Sequence, residues 1–148
     1  MDTSSFVAAW REKYPIDVFP SFWEQLDLWA QESRLVSPDE VLRELEKRED
    51  GLWAWARQRA YLFRPLDSDV EEQLKIILSR YPRLVDENED KPNADPFVIA
   101  LALVVGAVVV TEERRSNRAR PPIPNVCDAM NVECIDVLGL IREMKLRF

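Results

Sequence analysis

Histidine is absent from the 148 residues. That removes imidazole as acid, base or metal ligand, and with it His-based zinc sites and Ser-His or Cys-His nucleophile pairs. Only three glycines are present, too few for the Gly-rich loops that cradle phosphates or dinucleotides. Cys127 and Cys134 are the only cysteines. Without histidine they cannot complete a metal cage, and one pair does not make a secreted disulfide framework. They are expected to be reduced, buried thiols packed as small hydrophobes. Met1-Asp2-Thr3-Ser4-Ser5 lacks the basic and then apolar run of a secretion signal. The longest apolar stretch, residues 96–110, is shorter than the ~20 residues a membrane span needs. The expectation is a cytoplasmic protein with no membrane partner.

What is abundant is acid. The chain holds 27 Asp plus Glu against 20 Lys plus Arg, a net charge of −7. Chemistry in such a chain falls to carboxylates, hydroxyls, Lys, Arg, Cys or a bound ion. The net charge argues against a non-specific nucleic-acid coat but leaves room for a local basic patch beside an acidic site. With 47% hydrophobic and 32% charged residues, the composition is that of an ordinary globular chain. No repeat or linker divides it, so residues 1–148 are expected to form a single domain.

Helical periodicity dominates the first half. Phe19, Phe22, Trp23, Leu26 and Ala30 share one helix face. Residues 34–37 read as a short strand, followed by Ser37 as N-cap, Pro38 at the first helical position and Glu40 closing a capping box. Residues 52–60 read as a short helix, and Val70, Leu74, Ile77, Leu78 and Tyr81 mark another, stopped near Pro82. Asp95 and Pro96 read as N-cap and first residue of a helix apolar on all sides. Gly106 is placed to end that helix, and residues 107–111 read as a fully buried parallel strand. An Arg-rich loop, a helix over 126–130, a strand at 133–135 and a last helix from Asp136 complete the chain. Strands separated by helices predict a parallel sheet with helices on both faces.

Ligands of an open parallel sheet gather beyond the carboxyl ends of its strands. Asp2, Glu44, Asp95, Glu112 and Glu113 come from separated segments and are expected to be able to converge there. Each also has an ordinary reading: Asp95 as a helix cap, Glu44 as a solvated helix acid, Asp2 as a loose terminal residue, and Glu112 and Glu113 as loop surface. Glu40 is assigned to the capping box. Arg114, Arg115, Arg118 and Arg120 follow the site edge and suit substrate phosphates, or else form a solvated loop that balances the acids. Among Trp10, Trp23, Trp29, Trp53 and Trp55, most are expected in the core. Trp53 and Trp55 lie about 200° apart on a helix, so one is expected exposed, at a homodimer or protein-partner contact.

Four segments carry a resemblance in order along nearly the whole chain. They are Asp2-Thr3-Ser4-Ser5-Phe6; Ser37-Pro38 with Val41-Leu42 and Glu44-Leu45; Asn93-Ala94-Asp95-Pro96-Phe97-Val98-Ile99-Ala100; and Val109-Val110-Thr111-Glu112-Glu113. Together they resemble the PIN domain, the nuclease fold of VapC-type toxins and related RNA-processing enzymes, nearest to a prokaryotic PIN-like branch with an Asp-Thr-Ser-Ser start. The resemblance implies a three-layer α/β/α fold with a central, mostly parallel sheet. It implies a metal-dependent endoribonuclease, the toxin of a toxin–antitoxin pair, with an RNA substrate and an antitoxin partner. Asp2, Glu44, Asp95 and Glu113 would be the catalytic, metal-binding acids, with Glu112 as the alternate fourth. Ser4, Asn93 and Thr111 would orient them. Oxygen-only ligands select Mg²⁺ or Mn²⁺, ions that activate water and stabilise a departing oxygen. The sequence departs from the family in having only Met1 ahead of Asp2, where a strand is expected, and Glu at the fourth acid, where Asp is usual. Those departures keep a catalytically degenerate PIN-like binding or scaffold protein open. A nuclease or phosphatase acting on DNA or other phosphoesters also stays open.

Overall fold

The computed structural model describes residues 1–85 and 93–148. The chain is mixed α/β. In order, its elements are α1 (Thr3–Ala8), α2 (Pro20–Gln31), β1 (Ser37–Pro38), α3 (Asp39–Glu46), α4 (Gly51–Arg57), β2 (Phe63–Arg64), α5 (Ser68–Arg80), α6 (Asp95–Val105), β3 (Val109–Val110), α7 (Ile123–Ala129), β4 (Cys134–Ile135) and α8 (Val137–Met144). Strand β1 pairs in parallel with β2, Ser37 opposite Phe63, and β3 pairs in parallel with β4, Val109 opposite Cys134. Between the pairs lies the N-terminal dipeptide. The Met1 amino group donates to the Val36 carbonyl at 3.1 Å, and the Asp2 amide donates to the Val110 carbonyl at 3.0 Å.

The helices follow the periodicity of the sequence. Helix α2 buries Phe22, Trp23, Leu26 and Ala30, and α5 buries Val70, Leu74 and Ile77. Helix α6 packs against α5, α7, β1 and β3, which is why nearly every side of its first two turns is apolar. It stops at Gly106, whose φ of +66° is a left-handed conformation that glycine adopts without a Cβ clash. Its last residues differ from expectation: Val104, Val105 and the following Val108 are exposed, so the buried part of the segment expected as the next strand is only Val109–Thr111.

Two start signals are used differently from the sequence reading. Ser37 and Pro38 lie in β1 rather than opening a helix. The Ser37 hydroxyl donates to the Met1 carbonyl at 2.6 Å, so it is not free to cap. Glu40 pairs with Arg43, and its Oε2 has no hydrogen-bond partner among the described residues; there is no capping box. Asp95 does not cap either. Ala94 stands at the N-cap and Asn93 accepts from the Asp95 amide at 3.1 Å.

An aromatic cluster locks α1, α2 and α4 together. Trp23 stacks edge-on against both Trp10 and Trp55 at 4.9 Å, and Phe6 lies 6.1 Å from Phe63. The Trp23 indole donates to the Tyr14 carbonyl at 2.8 Å, satisfying its one polar atom. Trp55 is buried and Trp53 is half-buried against the same core, so neither stands out as an exposed contact. The cysteines are free thiols; Cys127 is buried, whereas Cys134 is only half-buried. Among the described residues no helix is long and apolar enough to cross a membrane.

Ser37 is fully buried and its hydroxyl is the side chain that satisfies the Met1 carbonyl. Ser37→Ala leaves that carbonyl unpaired and is expected to cost about 1–2 kcal/mol of unfolding free energy. Denaturant titration checks it against Ser79→Ala, which removes an exposed helix hydroxyl; equal effects from the two would show that the Met1 tether contributes nothing.

Candidate functional site

Asp2 is the most enclosed acid of the region, 2% exposed. It is not a loose terminal residue. One carboxylate oxygen accepts from the Ser5 amide at 2.9 Å and the Ser5 hydroxyl at 2.6 Å, which caps α1. The other accepts from the hydroxyls of Ser4 at 2.7 Å and Thr111 at 2.6 Å. The Ser4 hydroxyl also accepts from the Glu112 amide, and Thr111 Oγ1 accepts from the Glu113 amide, both at 3.1 Å. Through these bonds the hydroxyls of Ser4 and Thr111 join the start of α1 to the end of β3.

Glu44 reaches across from α3. Its Oε2 accepts from the Thr3 hydroxyl at 2.5 Å and its Oε1 from the Ala94 amide at 2.8 Å. It thereby supplies, from another helix, the acceptor that the N-terminus of α6 needs. Asn93 secures the same turn by donating to the Leu84 carbonyl at 2.6 Å. Glu113 accepts from the Ile123 amide at the start of α7 at 2.7 Å.

Glu112 turns the other way. It binds the Val137 amide at the start of α8 at 2.9 Å and pairs with Lys13. The structure thus brings together Asp2, Glu44, Asp95 and Glu113, and excludes Glu112 from the group. They line a cleft of about 560 Å³ with Thr3, Ser4, Asn93, Lys47, Arg48, Arg118 and Arg120.

Asp95 differs from the other acids in accepting no backbone amide among the described residues. Burial pushes its carboxyl up, the charges of Glu113, Asp2 and Glu44 push it further, and Arg120 opposes them; the result is about 7. Like-charged carboxylates sharing an enclosed site favour the neutral form of one member unless a cation balances them.

The Arg-rich loop divides. Arg118 reaches Glu113 at 3.3 Å and Arg120 reaches Asp95 at 3.2 Å, both inside the cleft. Arg115 instead grips Asp128 with a two-pronged pair at 2.6 and 2.8 Å. Arg114 and Arg115 line a separate hollow with Lys13 and Cys134. The four-arginine surface expected from the sequence is therefore two arginines in the cleft and two outside it. Lys47 and Arg48, which also line the cleft, were not anticipated. The signal for them is spacing: they stand three and four residues after Glu44, on the face that carries it into the cleft.

The donor set suits a hard divalent cation, since every acidic side chain in the cleft offers only oxygen. Among the described residues no three acids already stand at ion-holding separation. Asp95 and Glu113 are engaged by guanidinium groups, and the four hydrogen bonds to Asp2 occupy its lone pairs.

The raised Asp95 carboxyl has a consequence for stability. An unfolded Asp titrates near 3.9, so between that value and about 7 the folded protein holds a proton that the unfolded chain has released. Stability therefore falls as pH rises through this window and levels off above it. In metal-free buffer at pH 8, Asp95→Asn is expected to be more stable than the wild type by on the order of 2 kcal/mol. The gain should shrink as the pH is lowered toward 4. Unfolding measured at both ends of the range checks this, and a pH-independent difference would be inconsistent with it.

No curated protein and no solved structure matches the chain. A family model described as "Domain of unknown function (DUF4411)" matches residues 1–148, and the chain belongs to that family.

Proposed function

We propose that this protein is a PIN-like, Mg²⁺- or Mn²⁺-dependent endoribonuclease. The observation that carries the reading is the convergence of Asp2, Glu44, Asp95 and Glu113, from four distant segments, in one cleft rimmed by Lys47, Arg48, Arg118 and Arg120. An acidic floor suits a cation, and a basic rim suits the phosphates of a polyanion. The backbone supports the fold half of the reading. Met1 and Asp2 bond to Val36 on one side and Val110 on the other. We read β2, β1, this dipeptide, β3 and β4 as one central sheet, flanked by helices and with the acids beyond its carboxyl edge.

Glu44, Asp95 and Glu113 would hold the cation, and Asp2 would join them when the hydroxyl of Ser4 or Thr111 turns away. When bound, the cation would supply charge that makes the attacking water more acidic and the departing oxygen a better leaving group. Arg118, Arg120, Lys47 and Arg48 would hold the phosphates flanking the scissile bond. In the net reaction water oxygen joins phosphorus, the bond to the 3′ oxygen breaks, and that oxygen leaves as a hydroxyl. The preference for RNA comes from the resemblance.

A second reading is a PIN-like binding module without chemistry. It is favoured by the arginines paired with Glu113 and Asp95 and by the helix-end bonds that engage Asp2, Glu44 and Glu113.

The test is cleavage of a mixed RNA pool with Mn²⁺. The wild type is expected to cut, leaving 3′-hydroxyl ends. Asp95→Asn and Glu113→Gln are each expected to lose about 100-fold or more in rate. Glu112→Gln, altered outside the cleft, should keep activity within a few-fold. Folded wild-type protein that cuts no RNA would transfer the case to the binding module.

A further inference from the structure

The loop between β3 and α7 is held at one point and loose at another. Arg115 is fixed to Asp128, and Ser116 exchanges two hydrogen bonds with Asn125, its amide at 3.3 Å and its carbonyl at 2.8 Å. Beyond this clamp, Arg118 and Arg120 are 54% and 40% exposed, and each sends one guanidinium nitrogen into the cleft. Their contacts are single and lie at 3.2–3.3 Å, longer than the ~2.7–2.9 Å of a strong guanidinium–carboxylate bond. A weak contact from an exposed, flexible side chain is readily broken.

The two guanidiniums end on Asp95 and Glu113, two of the four acids that line the cleft. We propose that Arg118 and Arg120 are built-in counter-ions of the cleft, which a divalent cation must displace and which then become free to bind substrate phosphate. This inference rests on the metal-site reading above and names the regulation of that site. Charge balance gives it direction. With no cation, two unit charges offset the acids and hold the loop over the cleft. A divalent ion replaces both charges, after which the arginines repel it and swing toward solvent. Cation and polyanion then bind cooperatively, because each favours the same outward position of the arginines. The clamp at Arg115 and Ser116 keeps the loop near the cleft in either state.

The experiment is calorimetric titration of Mn²⁺ into wild type, Arg118→Gln, Arg120→Gln and the double variant, with Lys75→Gln as a control whose partner Glu71 lies on α5 outside the cleft. Folding of each is checked by circular dichroism. The double variant is expected to bind Mn²⁺ roughly threefold to tenfold more tightly than the wild type, the worth of the ion pairs it no longer has to break. Lys75→Gln should bind as the wild type does. Equal or weaker binding by the double variant would overturn the counter-ion role while leaving the metal site standing. So would an equal gain in Lys75→Gln, which would mark a general charge effect. Absence of Mn²⁺ binding in every folded protein would remove the metal site and the counter-ion role together.

Discussion

The arrangement depends on one carboxylate. Asp2 accepts from a backbone amide and three hydroxyls, and its own amide is bonded to Val110. These bonds begin α1, hold Thr111 at the end of β3 and fix Met1 beside β1. Each strand pair is only two residues long, too short to persist alone in water. Tying both pairs to a single dipeptide gives them a common frame, and the aromatic cluster around Trp23 and α6 covers it. An Asp2 exposed to solvent would gain none of these partners, which is why its burial and its structural role cannot be separated.

Most acids of this region are stabilised in one way. Asp2 meets the N-terminus of α1, Glu44 that of α6, Glu113 that of α7 and Glu112 that of α8. The free amides and dipole at a helix start favour negative charge. Asp95 is in the first turn of α6 but receives no such bond from the described residues, because Asn93 and Glu44 have already taken the neighbouring amides. It is also the acid pushed up to about 7. Burial is the largest cause of that rise, and the charges of Glu113, Asp2 and Glu44 add to it against Arg120.

Where sequence reasoning succeeded, the deciding physics was local. The spacing of Phe22, Trp23, Leu26 and Ala30 defines the buried face of α2 regardless of what packs on it, and a glycine after an apolar helix ends it through its own φ. The reading failed where a distant partner decided the outcome. Ser37 has every local feature of a cap, yet the Met1 carbonyl claims its hydroxyl from 36 residues away. Asp95 before a proline looks like a cap as well, but Asn93 accepts from the Asp95 amide, and Glu44 arrives from another helix to accept from the Ala94 amide. The four arginines look equivalent in sequence; Asp128 captures one of them, and the loop beyond that anchor directs two others inward. The acids themselves were legible as a set because the edge of a parallel arrangement gathers the ends of several segments. Spacing within the resemblance favours Glu113 over Glu112, and the structure places Glu113 in the cleft while Glu112 meets the start of α8.

A cap and a ligand are not exclusive roles, and the capacity left on each acid separates them. A carboxylate has about four lone-pair sites. Asp2 uses all of them on protein donors, whereas Glu44 and Glu113 each use two and Asp95 uses one. The capacity for an added ligand therefore lies on Glu44, Asp95 and Glu113, with Asp2 as the anchor that aligns the segments carrying them. Half of what engages Glu113 and all of what engages Asp95 among the described residues comes from arginine, a partner that can leave without unpairing a backbone amide. The bonds to Glu44 and to Ile123 hold helix ends and would cost stability to break. A cleft built this way keeps its shape while exchanging its counter-charge, which is the property a site needs if cation and polyanion are to enter and leave it.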